Sequence, residues 1–189
     1  MGQNKEHAAE IILVDEDDNP VGFETKLKAH EDGGKLHRAF SIFIFNAIRR
    51  MLLQRRAKGK YHFGGLWTNA CCGHPKGGET LQDAACVRLR QEFGFEVELS
   101  GIFSFVYRAS DAESGLSEYE FDHVFHGEFN GEPHPNPDEI DDWKWVDLAK
   151  LRADLEPVSK LPKVAPANKR ASEGEKGHMH DRVAFPADA

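Results

Sequence analysis

Three histidines and two glutamates of this chain fall in a pattern that suits metal binding. His30 and His37 lie seven residues apart ahead of an apolar segment, and His74 follows in a Cys-Gly-His-Pro run. Glu118 and Glu120 alternate along a predicted strand, so both side chains point to the same face. Three imidazoles and two carboxylates form a donor set with room for a sixth ligand, which suits a first-row divalent metal such as zinc, manganese or iron.

Each of these residues also has a plainer interpretation. His30 and His37 flank a Gly-Gly loop, where solvated histidines are ordinary. A Glu-x-Glu pair is more often the exposed face of a strand than a pair of ligands. Spacing alone therefore leaves a metal site and a solvated surface both open.

Cys72 is the second candidate for chemistry. It lies in a glycine-rich segment two residues before His74, where a thiol can be activated as an acid, a base or a nucleophile. A free cysteine is also commonly a small buried apolar residue, and Cys71 and Cys86 fit that second interpretation better.

A third feature is an altered Nudix box, the phosphate-processing pattern in which Gly, Glu and an Arg-Glu-x-x-Glu-Glu block follow at fixed spacing. Gly73 and Glu79 keep the expected separation. In the block, only Glu92 remains of three carboxylates, because Arg88 and Gln91 occupy the other two positions, and Val87 replaces the arginine. Residues 88, 91 and 92 share one helix face, so a hydrolytic cluster of several magnesium ions is not expected. One Mg²⁺ bridging Glu92 to a diphosphate, with Arg88 as counter-charge, remains open, as does a solvated helix face.

Basic residues precede this segment and favour an anion pocket, although they also fit the ordinary surface charge of a hairpin. They are Lys26, Arg55, Arg56, Lys58 and Lys60.

The elements that must position these groups alternate between short strands and a few helices. Strands are predicted at Glu10–Asp15, Arg38–Asn46, Val97–Arg108, Glu118–Glu128 and Trp143–Val146, with Arg49–Arg56 paired to Arg38–Asn46 as a hairpin. The clearest helix is Thr80–Phe93, with Thr80 as its cap, Asp83 as the capping-box acid and Gly94 as its stop. A second helix is predicted at Asp147–Leu155. The simplest account is an α+β fold whose mostly antiparallel sheet is covered by helices.

Composition bounds the class of protein. The chain has 189 residues, of which 40% are apolar and 30% charged, with a net charge of −8. This acidic balance argues against nucleic-acid or anionic-membrane partners. Three cysteines are too few for a disulfide framework, and no apolar run is long enough to span a membrane. We therefore expect a cytoplasmic protein. We also expect a monomer.

We expect a flexible N-terminus (1–9), one domain (10–156) and a poorly ordered tail (157–189) rich in proline.

Together these residues resemble type I isopentenyl-diphosphate isomerases. The resemblance lies in three motifs that occur in the family's order: His30 to Ser41, Trp67-Thr68-Asn69-Ala70-Cys71-Cys72-Gly73-His74-Pro75, and Tyr107-Arg108-Ala109 followed by Glu118-x-Glu120. It covers about residues 11–151. It implies a Nudix-like fold whose altered box isomerises rather than hydrolyses.

The resemblance also implies roles for individual residues. His30, His37, His74, Glu118 and Glu120 would hold one Mn²⁺ or Zn²⁺. Cys72 and Glu120 would transfer protons on opposite faces of the substrate, with Tyr107 beside the acid. Glu92 and the backbone carbonyl of Cys72 would contact a Mg²⁺ carried by the diphosphate. The residues that match positions gripping the diphosphate are Lys26, Arg56, Lys60 and Arg88.

The implied reaction interconverts isopentenyl and dimethylallyl diphosphate, in isoprenoid biosynthesis, by protonation and deprotonation through a carbocation-like intermediate. Family members usually continue after Asp147-Leu148 into a Pro-Trp segment that packs over the substrate. The tryptophans of this chain are Trp67, Trp143 and Trp145, and none matches that position. Two alternatives are therefore kept: a Nudix-type diphosphate hydrolase, and a metal-bearing, diphosphate-binding relic with little turnover.

Overall fold

A mixed sheet forms the frame of the computed structural model, which describes residues 9–60, 63–112 and 114–155. The described strands are β1 Glu10–Val14, β2 Pro20–Thr25, β3 His37–Phe45, β4 Arg50–Arg56, β5 Trp67–Thr68, β6 Cys71–Gly73, β7 Ser100–Ser110, β8 Ser117–Glu128 and β9 Ile140–Asp147. The described helices are α1 Lys26–His30, α2 Leu81–Phe93 and α3 Leu148–Leu155. The predicted flexible N-terminus at 1–9 lies outside the described residues except for Ala9, and the predicted tail at 157–189 lies wholly outside them.

The sheet is built around β3. This strand pairs antiparallel with β1 and β6 and parallel with β8, over a register that runs from His37 opposite Glu120 to Phe45 opposite Glu128. The remaining pairs, β1–β2, β3–β4, β4–β5, β4–β9 and β7–β8, are antiparallel. The predicted α+β class with a mixed, largely antiparallel sheet is therefore confirmed.

Helix α2 forms as its sequence predicts. The Thr80 hydroxyl accepts a hydrogen bond from the Asp83 backbone N–H at 3.0 Å, which satisfies one of the orphan donors of the first turn. Gly94 ends the helix with a φ of 73°, a conformation that glycine adopts without strain. The buried face of α2 then packs on the sheet through Ala85, Leu89 and Phe93. This packing fixes the orientation of α2 on the sheet.

Three local predictions differ from the structure. Strand β7 runs from Ser100 to Ser110 rather than from Val97 to Arg108. The predicted hairpin of β3 and β4 is confirmed only beside its turn, where Phe45 pairs with Met51, because β4 then leaves β3 to pair with β9. Strand β9 begins at Ile140 rather than Trp143, since this long pairing with β4 extends it. Helix α3 begins after Asp147, whose carboxylate accepts from the Ala149 N–H at 2.8 Å as a cap.

Candidate active site

Four ligand-type side chains converge from four separate elements. His30 ends α1, His37 begins β3, His74 follows β6 and Glu120 lies on β8. The parallel register of β3 and β8 sets His37 opposite Glu120. One ligand atom of each of the four residues lies within 4.8 Å of the others. A cluster that spans 90 positions of sequence is thus assembled by the sheet.

Hydrogen bonds on the far side of two rings orient them toward this cluster. The Nδ1 of His30 lies 2.6 Å from the Lys26 carbonyl oxygen, and the Nδ1 of His37 lies 2.7 Å from that of Lys35. Because a carbonyl only accepts, both rings carry their proton on Nδ1 and turn Nε2 inward. Within the cluster, His74 Nε2 lies 3.1 Å from both His37 Nε2 and Glu120 Oε1.

Burial in the cluster keeps His30 and His74 neutral. Burial lowers the pKa of His30 to about 4, and the neighbouring His37 adds to this effect. Burial lowers the pKa of His74 to about 3, although its hydrogen bond to Glu120 opposes the shift. Neutral imidazole is the form that binds metal. Three imidazole nitrogens with one carboxylate therefore fit a divalent first-row metal.

Glu118 and Tyr107 stand beside the cluster. Tyr107 lies opposite Glu120 in the antiparallel register of β7 and β8. Its hydroxyl donates to Glu118 Oε2 at 2.9 Å and lies against Glu120 Oε2 as well. All three side chains are buried. Tyr107 therefore ties the two carboxylates together on one face, as their alternation in β8 predicts.

Cys72 lies on β6, opposite Ser41 of β3. Its Sγ is 3.3 Å from Asn69 Oδ1 and 3.5 Å from Ser41 Oγ. The neighbouring Cys71 points into the core, where burial beside Glu92 raises the pKa of its thiol. The two adjacent cysteines thus differ in the way the sequence favours, with Cys71 in the apolar interior and Cys72 at the pocket.

A pocket of about 410 Å³, called the main pocket below, joins these groups to the basic residues. Lys26, Arg56, Lys60 and Arg88 all line it, together with Cys72, His74, Glu118 and Glu120. Phe40, Ala84 and Val87 supply apolar wall. Of the other two basic residues, Arg55 lies 3.7 Å from Asp142 and Lys58 is exposed. The pocket can therefore hold an anionic group and an apolar group side by side.

Glu92 lies behind this wall on α2. It is buried, accepts from Gln54 Nε2 at 2.9 Å and pairs with the Nε of Arg88 at 2.5 Å. Arg88 and Gln91 line the main pocket on the same helix face. A complete Nudix box has acids at positions 88 and 91. The two replacements therefore lie on the wall of the main pocket.

Two residues of this region were not predicted from the sequence. Gln54 donates to both Ala70 O and Glu92 Oε2, but a glutamine in a strand carries no signal of such a role. Glu139 lines the main pocket and pairs with Lys60 and Arg88. In the sequence, Glu139 is recognisable only as an acidic residue that follows the proline-rich loop at 133–137.

Comparisons with known proteins agree with this geometry. The NUDIX domain family model matches residues 35–167. An isopentenyl-diphosphate Delta-isomerase 2 of Aromatoleum aromaticum is 58% identical over 146 residues, which are 77% of this chain and 76% of that protein. An isopentenyl-diphosphate Delta-isomerase of Nocardia farcinica is 45% identical, over 82% of this chain and 90% of that one.

Among solved structures, the fold is similar to that of DR0079 from Deinococcus radiodurans. The TM-score is 0.61 at 22% identity, over 76% of this chain and 89% of that one. A MutT protein from Methanosarcina mazei matches with a TM-score of 0.53 at 18% identity, over 62% and 81% of the two chains. In the described residues, no helix has the length and apolar character needed to cross a membrane.

Proposed function

The chain belongs to the NUDIX family and, within it, to the isopentenyl-diphosphate Delta-isomerases, and on this premise we propose which of its residues carry out the reaction. The protein is an enzyme that interconverts isopentenyl diphosphate and dimethylallyl diphosphate. The observation that carries the residue assignment is the shared wall of the main pocket, where Cys72 and Glu120 lie together with Lys26, Arg56, Lys60 and Arg88.

The diphosphate end is assigned to the basic side of the pocket. Lys26, Arg56, Lys60 and Arg88 would neutralise it, because charge-assisted hydrogen bonds to phosphate oxygens are the strong ones. Glu92 and the carbonyl oxygen of Cys72 would contact a Mg²⁺ that accompanies the diphosphate, since magnesium commonly binds through one or two carboxylates plus phosphates.

The alkene end is assigned to Cys72 and Glu120. In the forward direction one group gives a proton to the terminal CH₂ carbon, and the alkene electron pair forms the new C–H bond. The other group takes a proton from C2, whose C–H electron pair becomes the new double bond. Each positioned acid or base typically contributes ~10²–10⁴-fold. Because the two transfers occur on opposite faces of the substrate in this family, one side chain would not serve for both.

Tyr107 and Glu118 are assigned to support Glu120. Tyr107 donates to Glu118 and contacts Glu120, so its hydroxyl holds both carboxylates in one orientation. We assign the resident divalent metal, Mn²⁺ or Zn²⁺, to His30, His37, His74, Glu118 and Glu120. When bound, it would fix Glu120 and alter its affinity for a proton. These residues all lie in the single domain that we infer at residues 10–156.

The alternatives predict different products. A Nudix-type hydrolase would release phosphate or pyrophosphate, but Arg88 and Gln91 replace two of the acids that such chemistry needs.

The test is incubation of the purified protein with isopentenyl diphosphate, Mg²⁺ and Mn²⁺, followed by chromatography of both diphosphates and a phosphate assay. Dimethylallyl diphosphate without phosphate release is expected. Phosphate release from the substrate would instead support the hydrolase, and binding without conversion would support the relic.

A monomer in the cytoplasm is part of the same proposal. The three cysteines are all free thiols, which supports a reducing compartment.

A further inference from the structure

Glu139 lines the main pocket, and the assigned reaction gives it no role. It lies just before β9, with a side chain 19% exposed. Its Oε2 accepts from the Nη2 of Arg88 at 2.8 Å and is also paired with the Nζ of Lys60. One carboxylate oxygen thus joins two of the four basic side chains assigned to the diphosphate.

The backbone fixes Glu139 between the two segments that carry these cations. The Glu139 carbonyl oxygen accepts from the Ala57 N–H at 2.9 Å, at the end of β4 and three residues before Lys60. In the same loop, the Asn136 N–H donates to the carbonyl oxygen of Glu92 at 2.8 Å, on the helix that carries Arg88. Backbone hydrogen bonds therefore anchor the loop of Glu139 both to the segment after β4, which carries Lys60, and to α2, which carries Arg88.

The electrostatics of the three groups favour a shared carboxylate. Lys60 and Arg88 are like charges, and their side chains are only 9% and 24% exposed, so water screens their repulsion poorly. Glu92 already pairs with Arg88 Nε. Glu139 therefore supplies the counter-charge that lets the second cation approach the first.

The pairing with Glu139 is compatible with a bound diphosphate. An ammonium group has three N–H donors and a guanidinium has five. Glu139 Oε2 takes one donor from each side chain, so this pairing alone does not saturate either cation. A group that orients two cations before the ligand arrives lowers the entropic cost of binding.

We propose that Glu139 is a positioning residue for the diphosphate: it holds Lys60 and Arg88 side by side on the wall of the main pocket. This role rests on the proposed function, in which these two side chains bind the diphosphate. It predicts that loss of the carboxylate weakens substrate binding more than it slows the chemical step, because Glu139 acts through the cations and not on the alkene.

The experiment compares Glu139→Gln and Glu139→Asp with wild-type protein. Asp138→Asn is the matched control, since Asp138 is an exposed neighbour that loses the same charge. Titration calorimetry measures the binding of inorganic pyrophosphate with Mg²⁺, and steady-state kinetics give kcat and KM for isopentenyl diphosphate. For Glu139→Gln we expect roughly tenfold weaker pyrophosphate binding and a matching rise in KM, with kcat little changed. Glu139→Asp should recover part of this loss, and Asp138→Asn should resemble wild type.

Three outcomes would overturn this role. Equal or tighter pyrophosphate binding by Glu139→Gln would mean that the carboxylate does not help the ligand to bind. An equal loss in Asp138→Asn would mean a general charge effect. A fall in kcat with KM unchanged would place Glu139 in the chemical step. Wild-type protein that neither bound pyrophosphate nor converted the substrate would overturn the proposed function itself, and the role of Glu139 with it.

Discussion

Hydrogen-bond acceptors surround the thiol of Cys72, the residue that we propose for proton transfer. Ser41 Oγ donates to Asp122 Oδ2 at 2.7 Å, so its oxygen faces the Cys72 sulfur as an acceptor. Asn69 donates its amide N–H groups to two backbone carbonyls, which turns its Oδ1 toward the same sulfur. Two oriented acceptors therefore fix the direction of the thiol.

Replacement of this thiol should stop the reaction without emptying the pocket. We expect Cys72→Ala to reduce isomerisation by at least ~10²-fold, because no other group would replace its proton transfer. Binding of the diphosphate should persist, since the basic side chains are unchanged. Kinetics and calorimetry on the same preparation measure both effects. Cys86→Ala, at a partly buried position of α2 that does not line the main pocket, is the control. Full turnover by Cys72→Ala would remove Cys72 from the mechanism.

The thiols of Cys71 and Cys72 should also differ in reactivity. Burial beside Glu92 raises the pKa of Cys71, so little thiolate forms there near neutral pH. Brief treatment of the native protein with iodoacetamide, followed by peptide mass spectrometry, should label Cys72 and leave Cys71 unmodified. Labelling of Cys71 at the rate of Cys72 would contradict the buried position of its sulfur.

The carboxylate of Glu120 should be needed for the metal. Glu120→Gln removes a charged ligand from the cluster with His30, His37 and His74, and we expect loss of both bound metal and activity. Elemental analysis of the purified variant measures the metal directly. Glu128→Gln, exposed on the same strand, should keep its metal. Full occupancy in Glu120→Gln would exclude this residue as a required ligand.

At the scale of elements, the short strand β6 joins both halves of the site. It sets Cys72 opposite Ser41 and Gly73 opposite Phe40, and His74 follows directly. Gly73 permits this arrangement because a Cβ there would lie 2.7 Å from the Cζ of the Phe40 ring. The close approach of β6 to β3 thus positions both Cys72, the proposed proton-transfer group, and His74, a proposed metal ligand.

Gly73→Ala should therefore damage both stability and activity. Overpacking of this kind typically costs about 1–3 kcal/mol of unfolding free energy, and here it pushes directly on the segment between Cys72 and His74. Urea unfolding and steady-state kinetics measure the two effects. Gly22→Ala on β2 is the matched control, because its Cβ would meet nothing within 4 Å. Equal stability of the two variants would contradict the packing of β6 on β3.

What the sequence predicts at this scale depends on the range of the interaction. Helix α2 is local, so the cap at Thr80 and the stop at Gly94 are visible in the sequence. The parallel pairing of β3 with β8 is not, because it joins residues about 80 positions apart and no turn signal connects them. The candidate ligands were therefore predicted by residue type and by resemblance, whereas their convergence depends on that pairing. Gln54 and Glu139 were missed since their partners lie on other elements.

At the scale of the whole molecule, several basic side chains of an acidic chain lie together at one pocket. The chain carries a net charge of −8, yet the main pocket gathers Lys26, Arg56, Lys60 and Arg88 on its wall. A cluster of basic side chains on the pocket wall lets an acidic chain accept a small anionic substrate.

The buried histidines make the metal-free protein sensitive to acid. Burial lowers the pKa values of His30, His74 and His123 below the ordinary value of 6.5. As the pH falls through 6.5, these side chains gain protons in the unfolded chain but not in the folded one, so the unfolding free energy decreases. Above 6.5 this contribution to stability is fully present.

Urea unfolding of the metal-free protein at about pH 7.5 and about pH 5 measures this dependence. We expect lower stability at the acidic pH, and a smaller difference for His123→Gln, in which one of the titrating groups is absent. Stability that rose as the pH fell would contradict the neutral, buried state of these rings.

The central claim is that this pocket moves protons on an alkene while the diphosphate stays intact. Proton NMR of the purified protein with isopentenyl diphosphate, Mg²⁺ and Mn²⁺ in D₂O tests it most directly. We predict the appearance of dimethylallyl diphosphate with deuterium incorporated from the solvent. An unchanged, unlabelled substrate in the presence of bound metal and bound diphosphate would contradict the claim.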